Sequence, residues 1–394
     1  MAIYLDHAST TPLRREVLEA MLPYLTESFG NPSSAHAYGR AARAGLDEAH
    51  ERVATQLGAE AREIVFTSGG TEANNLALKG AAWAGKAHGH RIVTSSVEHH
   101  AVGHTLRYLE KFGFEVVELP VDRYGRVDPD QLEAALTDRT TLVSIMLANN
   151  EVGTIQPVQE IAARIRTRKG ILFHVDAVQA APYVEVDVRR LDADLVSIGA
   201  HKFEGPKGVG ALYVRHGSHI LAQQHGGSQE RHRRAGTEDV AGAIGLATAY
   251  ELSCAERAAT AKRLRAWRGR LSAAVLAVEG TEPTGHPTER LPGLLSLIVR
   301  DADGTAITLA LDLEGIAAAV GSACTTGSTE VSHVLTAMGY PEDEARGALR
   351  LSLGRTTTED ELRVASEVVP RVIRSIRDAS QTVAADPLNE GVPV

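Results

Sequence analysis

Between residues 60 and 215, short runs rich in apolar and β-branched residues alternate with stretches of helical period, and few architectures accommodate that order. The runs fall at 64–67, 91–95, 115–119, 141–147, 171–176, 194–198 and 209–214. This spacing predicts βαβ units and therefore a mainly parallel sheet between helices, here of seven strands. A helical stretch over 240–279, with few Gly or Pro after Gly245, reads as a connector between domains. Beyond it, strands at 294–300, 316–320 and 349–353 and helices near 305–313, 329–338 and 358–378 predict a smaller α+β unit. The first 30 residues are expected to cross back onto that unit. The division that follows is an N-terminal segment, 1–15, on the small domain, a large domain, 16–260, and a small C-terminal domain, 261–394. The tail 386–394 is expected to fray.

Composition narrows the function. Of 394 residues, 23% are charged and 43% hydrophobic, which is ordinary for a folded soluble chain. No apolar run approaches the roughly 18 residues of a spanning helix, and the first residues lack the basic-then-apolar order of a secretory signal. A cytoplasmic address is expected. A net charge of −9 argues against a general nucleic-acid binder or an anionic-membrane binder, both of which need a broad positive field. The two cysteines, Cys254 and Cys324, cannot build a disulfide framework and suit a reducing compartment. Only seven of the 41 cationic side chains are lysines, so a catalytic lysine has few rivals.

In open α/β sheets ligands bind at the carboxyl ends of strands, and the residues there carry chemistry. After 64–67 comes Ser68-Gly-Gly70-Thr71, then a helical pattern. Glycines let a backbone approach an anion closely, and the helix start presents free N–H groups. Either a phosphate cup or an ordinary capped turn fits. No nucleotide P-loop pattern occurs. After 171–175 comes Asp176, then Gln179. The carboxylate either meets a cation such as a protonated ring nitrogen or caps the next helix. After 194–198 comes Gly199-Ala-His201-Lys202-Phe-Glu-Gly-Pro-Lys-Gly208. A lysine following a buried strand must be paired or neutralised, and Schiff-base chemistry benefits from the lowered pKa that burial brings.

His99, His100 and His104 invite a metal reading, which ranks low because their spacing lacks the zinc-helix pattern with a third ligand. Arg231-His-Arg-Arg234 is either a solvated face or a loop near a partner's site. Cys254 lies in a helical apolar pattern and is expected in the core. Cys324 lies in Val320-Gly-Ser-Ala-Cys324-Thr-Thr-Gly-Ser-Thr-Glu330. A thiol in so many small residues is either a small turn residue or a nucleophile on a loop able to move it.

The ordered set Tyr4-Leu-Asp-His-Ala-Ser-Thr-Thr-Pro12, Gly30-Asn31-Pro-Ser33, Thr67-Ser-Gly-Gly-Thr71-Glu72, Glu98-His99, Asn149-Asn150-Glu-Val-Gly153, His201-Lys202 with Gly205-Pro-Lys-Gly208, Arg234-Ala-Gly-Thr237, Gly321-Ser-Ala-Cys324 and Ser352-Leu-Gly-Arg355 resembles the cysteine desulfurases. These are a branch of the class-V aminotransferase family, with the PLP-dependent transferase fold type I. The resemblance spans nearly the whole chain. It implies pyridoxal 5′-phosphate (PLP) as a Schiff base on Lys202, with Asp176 on the ring nitrogen and Gln179 on the phenolic oxygen. It implies His99 stacked on the ring and Asn150 near ring and substrate. It assigns the phosphate to Gly70, Thr71 and His201, helped by Thr237 from a second subunit of a homodimer. Substrate contacts fall to Asn31, Asn150 and Arg355, the last as a bidentate carboxylate clamp. The family commonly has a phosphate-binding serine where this chain has Gly199, leaving at most a backbone contact there.

The implied reaction converts L-cysteine to L-alanine. Lys202 takes the Cα proton, and the Cys324 thiolate attacks the substrate sulfur and keeps it as a persulfide. His99 is the candidate for managing the thiol proton. A sulfur-acceptor protein for iron–sulfur cluster assembly or tRNA thiolation would follow. The alternatives are a selenocysteine lyase, another class-V aminotransferase or lyase, and a silent cofactor-binding scaffold.

Overall fold

A computed structural model of the chain describes residues 2–321 and 331–384, the side chains of 381–384 excepted. Cys324 and the tail 386–394 therefore lie outside the described residues. The strands are β1 (Ile3–Tyr4), β2 (Ile64–Thr67), β3 (Arg91–Ser95), β4 (Glu115–Leu119), β5 (Thr140–Met146), β6 (Leu172–Asp176), β7 (Leu195–Gly199), β8 (Gly210–Val214), β9 (Thr281–Pro283), β10 (Leu294–Val299), β11 (Ile316–Ala317) and β12 (Ala348–Ser352). Seven of them form one sheet in the order β2-β8-β7-β6-β5-β3-β4, parallel except for β8, which runs antiparallel to both β2 and β7. The predicted seven-stranded α/β sheet is present, with strand ends mostly within a residue of expectation.

Alternation along the strands sends side chains to two apolar layers. Ile64, Phe66, Val143, Ile145, Phe173 and Val175 face one layer, with α2 (Ala37–Leu57) packed over it. Val65, Leu142, Leu195 and Leu212 face the other, covered by α3 (Gly70–Gly85) and α4 (His100–Glu110). Small residues, Ala73, Ala77 and Ala81, let α3 lie close on the sheet. Each large side chain removed from water here contributes about 1.5–3 kcal/mol. The layers clamp the sheet and fix the carboxyl ends of β5, β6 and β7 as neighbours.

The expected connector is one helix, Val240–Leu276. Its first turns are buried in the α2-side core, while Leu264, Leu271 and Val275 enter a separate core with β10, β12 and the last helix, Glu359–Ala384. The smaller sheet runs β12-β10-β9, antiparallel. β1 pairs with β11, and Asp6 bridges to Ser352. The crossing stops there: α1 (Arg15–Thr26) turns onto the long helix and the large core through Val17, Met21 and Tyr24, short of the 30 residues expected. β11 is also shorter than 316–320 because the chain changes partner, Ala319 bridging to Arg350 of β12 instead.

Candidate active site

A cavity of about 560 Å³ opens at the carboxyl ends of β5, β6 and β7. Lys202, on a single 3₁₀ turn after β7, lines it. Its Nζ donates to the carbonyls of Ala8, at 2.5 Å, and Ser9, at 3.0 Å. The first segment of the chain thus reaches the lysine from the far end of the sequence.

Asp176, the last residue of β6, is 5% exposed. Asn74 Nδ2 donates to its Oδ2 at 2.7 Å and the Val178 N–H to its Oδ1 at 3.0 Å. Burial raises its carboxyl pKa, while those two hydrogen bonds and the Lys202 charge oppose the rise. Beside it, Gln179 Oε1 and Asn74 Oδ1 are buried with no hydrogen-bond partner among the described residues.

α3 starts at this cavity. Gly69, with φ of +148°, caps it, and a Cβ on Gly70 would stand 2.6 Å from Val178 Cγ2, so only glycine fits. Glu72 Oε2 accepts from the Ser68 N–H at 2.7 Å, and Arg234 Nε donates to Glu72 Oε1 at 2.9 Å. Arg234 of the basic cluster therefore braces this helix start within its own chain. Thr71, His201 and Lys207 line the cavity as well. His201 Nδ1 lies 3.2 Å from Thr10 Oγ1, and burial, with the charges of Lys202 and Lys207, lowers its pKa to about 4.

His99 caps α4, its Nδ1 accepting from the Ala101 N–H at 3.1 Å. Burial first, then the Lys202 charge, lowers its pKa to about 4. The ring is neutral near pH 7 and, with Nδ1 accepting, carries its proton on Nε2. His333 Nε2 donates to the backbone carbonyl of Glu98 at 3.0 Å, and its ring sits 4.7 Å from that of His100. His100 and His104 stack at 4.9 Å, yet no group of three or more potential ligands able to hold a metal occurs among the described residues.

The cavity thus gathers Gly70, Thr71, His99, Asn150, Asp176, Gln179, His201 and Lys202. Four anticipated residues do not line it. Gly199 is buried at the end of β7, Asn31 and Thr237 are exposed elsewhere, and Asn31 Oδ1 accepts from the Ser33 N–H at 2.9 Å. Arg355 lines a neighbouring pocket of about 30 Å³, which shares Lys202 as a wall, and its Nε donates to Glu204 Oε2 at 2.5 Å.

An arginine that sequence reasoning passed over does reach the main cavity. Arg350, 1% exposed on β12, donates to the Asn150 and Gly321 carbonyls at 2.9 and 3.0 Å, to Ser9 Oγ at 2.7 Å and to Asp6 Oδ1 at 3.0 Å. A charge inside the apolar run Ala348-Leu-Arg-Leu-Ser352 was its signal, because a buried guanidinium must be paired. Cys254 is half-buried against the core, where burial raises its pKa and Arg257 Nη2 donates to its Sγ at 2.7 Å.

A sheet with buried Asp176 at one strand end, half-buried Lys202 after the next and a helix start facing them is the framework of a class-V aminotransferase, the family that residues 3–364 match and to which the chain belongs. Within that family it stands among the cysteine desulfurases. It is 50% identical over 379 residues to cysteine desulfurase IscS of Methanosarcina thermophila, covering 96% of this chain and 94% of that protein. It is 49% identical to the IscS of Dictyoglomus turgidum, with 96% of each chain covered. Among solved structures, a NifS-like protein superposes with a TM-score of 0.90 at 38% identity, over 95% of this chain and all of the other. A structure of SspA in complex with cysteine gives 0.80 at 34% identity, over 89% of this chain and 98% of that one. Enzymes of this family work with PLP. Among the described residues no helix is long and apolar enough to cross a membrane.

Proposed function

We propose that this cysteine desulfurase carries PLP on Lys202 and passes the sulfur of L-cysteine through a persulfide on Cys324 to an acceptor protein serving iron–sulfur assembly or tRNA thiolation. The observation that carries the reading is one cavity bringing Lys202, buried Asp176 and the start of α3 together. Its residues fit the cofactor. Among the described residues Asp176 has no full cationic partner at hydrogen-bonding distance, only two neutral donors, and a protonated ring nitrogen would complete it. Thr71, His201 and the N–H groups at the start of α3 would take the phosphate, with Lys207 adding charge. Gln179 would meet the phenolic oxygen. When bound, PLP supplies an electron sink for charge developing at the substrate's Cα.

The protein's own groups do the rest. Lys202 Nζ, placed by the Ala8 and Ser9 carbonyls, takes the Cα proton. His99 covers one side of the cavity as a neutral donor through Nε2. A pKa near 4 makes it a poor acceptor for the thiol proton, which favours stacking and donation over the role of base. The Cys324 thiolate forms a bond to the cysteine sulfur as the carbon–sulfur bond breaks. The carbon keeps that electron pair, gains a proton and leaves as alanine. Arg355 and Asn150 would hold the substrate. Thr237, exposed and away from its own cavity, supports a homodimer in which it completes the neighbouring site.

In this arrangement 16–260 forms the cofactor-binding unit, 261–394 carries Cys324, and 1–15 joins them. A chain with two cysteines and no disulfide framework suits the cytoplasm. The test is Cys324→Ala. It should abolish persulfide formation and alanine release from cysteine while PLP absorbance is retained. Undiminished alanine release would defeat the reading.

A further inference from the structure

Arg355 is already engaged by a carboxylate. Its Nε donates to Glu204 Oε2 at 2.5 Å and lies 3.9 Å from Glu256 Oε2. Glu204, two residues after Lys202, has a side chain only 8% exposed, and its Oε1 is buried without a hydrogen-bond partner among the described residues. Its backbone sits in the left-handed region, φ +63°, at a cost of about 1 kcal/mol or more for a residue with a Cβ. The fold thus tolerates strain at the position that puts a carboxylate on this guanidinium. The pocket around the pair holds about 30 Å³, too little for an amino acid, and Lys202 separates it from the main cavity.

A second cation waits beside the pair. Arg14 Nη1 lies 4.0 Å from Glu204 Oε2 while Arg14 holds Glu256 through two hydrogen bonds, at 3.1 and 2.5 Å. Arg14 Nε lies 3.3 Å from Glu16 Oε1, an exposed carboxylate. A carboxylate released by Arg355 therefore has a guanidinium within one short side-chain movement, and is not stranded as an unpaired buried charge.

We infer that Glu204 is a specificity-determining residue: a built-in carboxylate that occupies Arg355 and is exchanged for the α-carboxylate of the incoming amino acid. The exchange keeps Arg355 from binding small anions indiscriminately, and it subtracts the Arg355–Glu204 contact from the affinity for substrate. Glu204 moves toward Arg14 as the substrate carboxylate takes its place. This rests on the reading of Arg355 as the substrate clamp, and the test separates the two.

The experiment titrates the PLP-loaded enzyme with L-alanine, and with ethylamine as a ligand lacking the carboxylate, following the cofactor absorbance. Glu204→Gln and Glu204→Gly are compared with the parent, the glycine being suited to the positive φ and so guarding against a folding defect. Both variants should bind L-alanine about tenfold more tightly, the equivalent of about 1.4 kcal/mol, with ethylamine affinity unchanged. The KM for cysteine should fall by more than kcat changes. Weaker or unaltered alanine binding in the two variants would overturn the inference and make Glu204 a brace for Arg355. In parallel, Arg355→Ala should lose alanine binding; if it does not, the clamp assignment fails whatever Glu204 does.

Discussion

Asn74 Nδ2 stands 2.7 Å from Asp176 Oδ2, a hydrogen bond from the second turn of α3 to the last residue of β6, 102 positions apart in sequence. It joins the helix that faces the phosphate end of the cavity to the carboxylate assigned to the ring nitrogen. Both side chains are buried, so the carboxylate depends on this donor and on the Val178 N–H for its charge. Asn74→Ala removes one of the two. A hydrogen bond to a buried charge is worth about 1.5–3 kcal/mol, so the PLP dissociation constant should rise by tenfold or more. Titration of cofactor-free protein with PLP measures it.

Glu98 predicts the basic side of the stability profile. It is fully enclosed, its Oε1 accepting from Ser95 Oγ at 2.6 Å and the Met146 N–H at 3.0 Å, and burial raises its pKa to about 8. The folded state then holds a proton that the unfolded chain releases above its ordinary carboxyl pKa, so stability falls as pH rises toward 8. Glu98→Gln keeps the shape without the proton. Its unfolding free energy in urea should vary less between pH 6 and 8.5 than that of the parent.

His174 predicts the acidic side. It lies inside the sheet, Nδ1 2.8 Å from Ser144 Oγ and Nε2 3.0 Å from Ser197 Oγ, and burial lowers its pKa to about 3. The unfolded chain binds a proton below about pH 6.5 that the folded protein refuses, so stability present above that pH is lost as it falls toward 3. His7, His99 and His201, each lowered to about 4, act in the same direction. His174→Asn should be less stable at pH 7.5 yet lose about 2 kcal/mol less than the parent on going to pH 4.5. Urea denaturation at the two pH values decides it.

Gly199 predicts a gain. A Cβ there would stand 3.4 Å from both Gly70 N and Val178 Cγ1, ordinary contact, so a serine hydroxyl fits against the start of α3. Gly199→Ser should retain PLP several-fold longer during dialysis against cofactor-free buffer. Faster loss would mean that the close packing of Gly70 on Val178 does not tolerate the side chain.

Much of this was legible in the sequence because the signals are local. β2, β3 and β4 were bounded by their own β-branched runs, and Lys202, Asp176 and Gly70 stood out as residues that only a strand end or helix start explains. What escaped depends on distant partners. Arg350 meets Asp6 and Ser9 more than 340 positions away, and Asn74 looks like any polar helix residue until β6 is beside it. Glu98 was visible in its motif, yet its role rests on the Met146 amide of a neighbouring strand. The position of Arg355 against Glu204 follows from two loops meeting, which no periodicity reports.

The central claim is that sulfur leaves cysteine onto Cys324. Mass spectrometry of the peptide containing Cys324, after the PLP-loaded enzyme has been incubated with L-cysteine and trapped by alkylation, tests it most directly. The account predicts a one-sulfur mass increase on Cys324, absent from Cys254 and absent when Lys202 is replaced by Ala. An unmodified Cys324 in an enzyme that releases alanine from cysteine would contradict it.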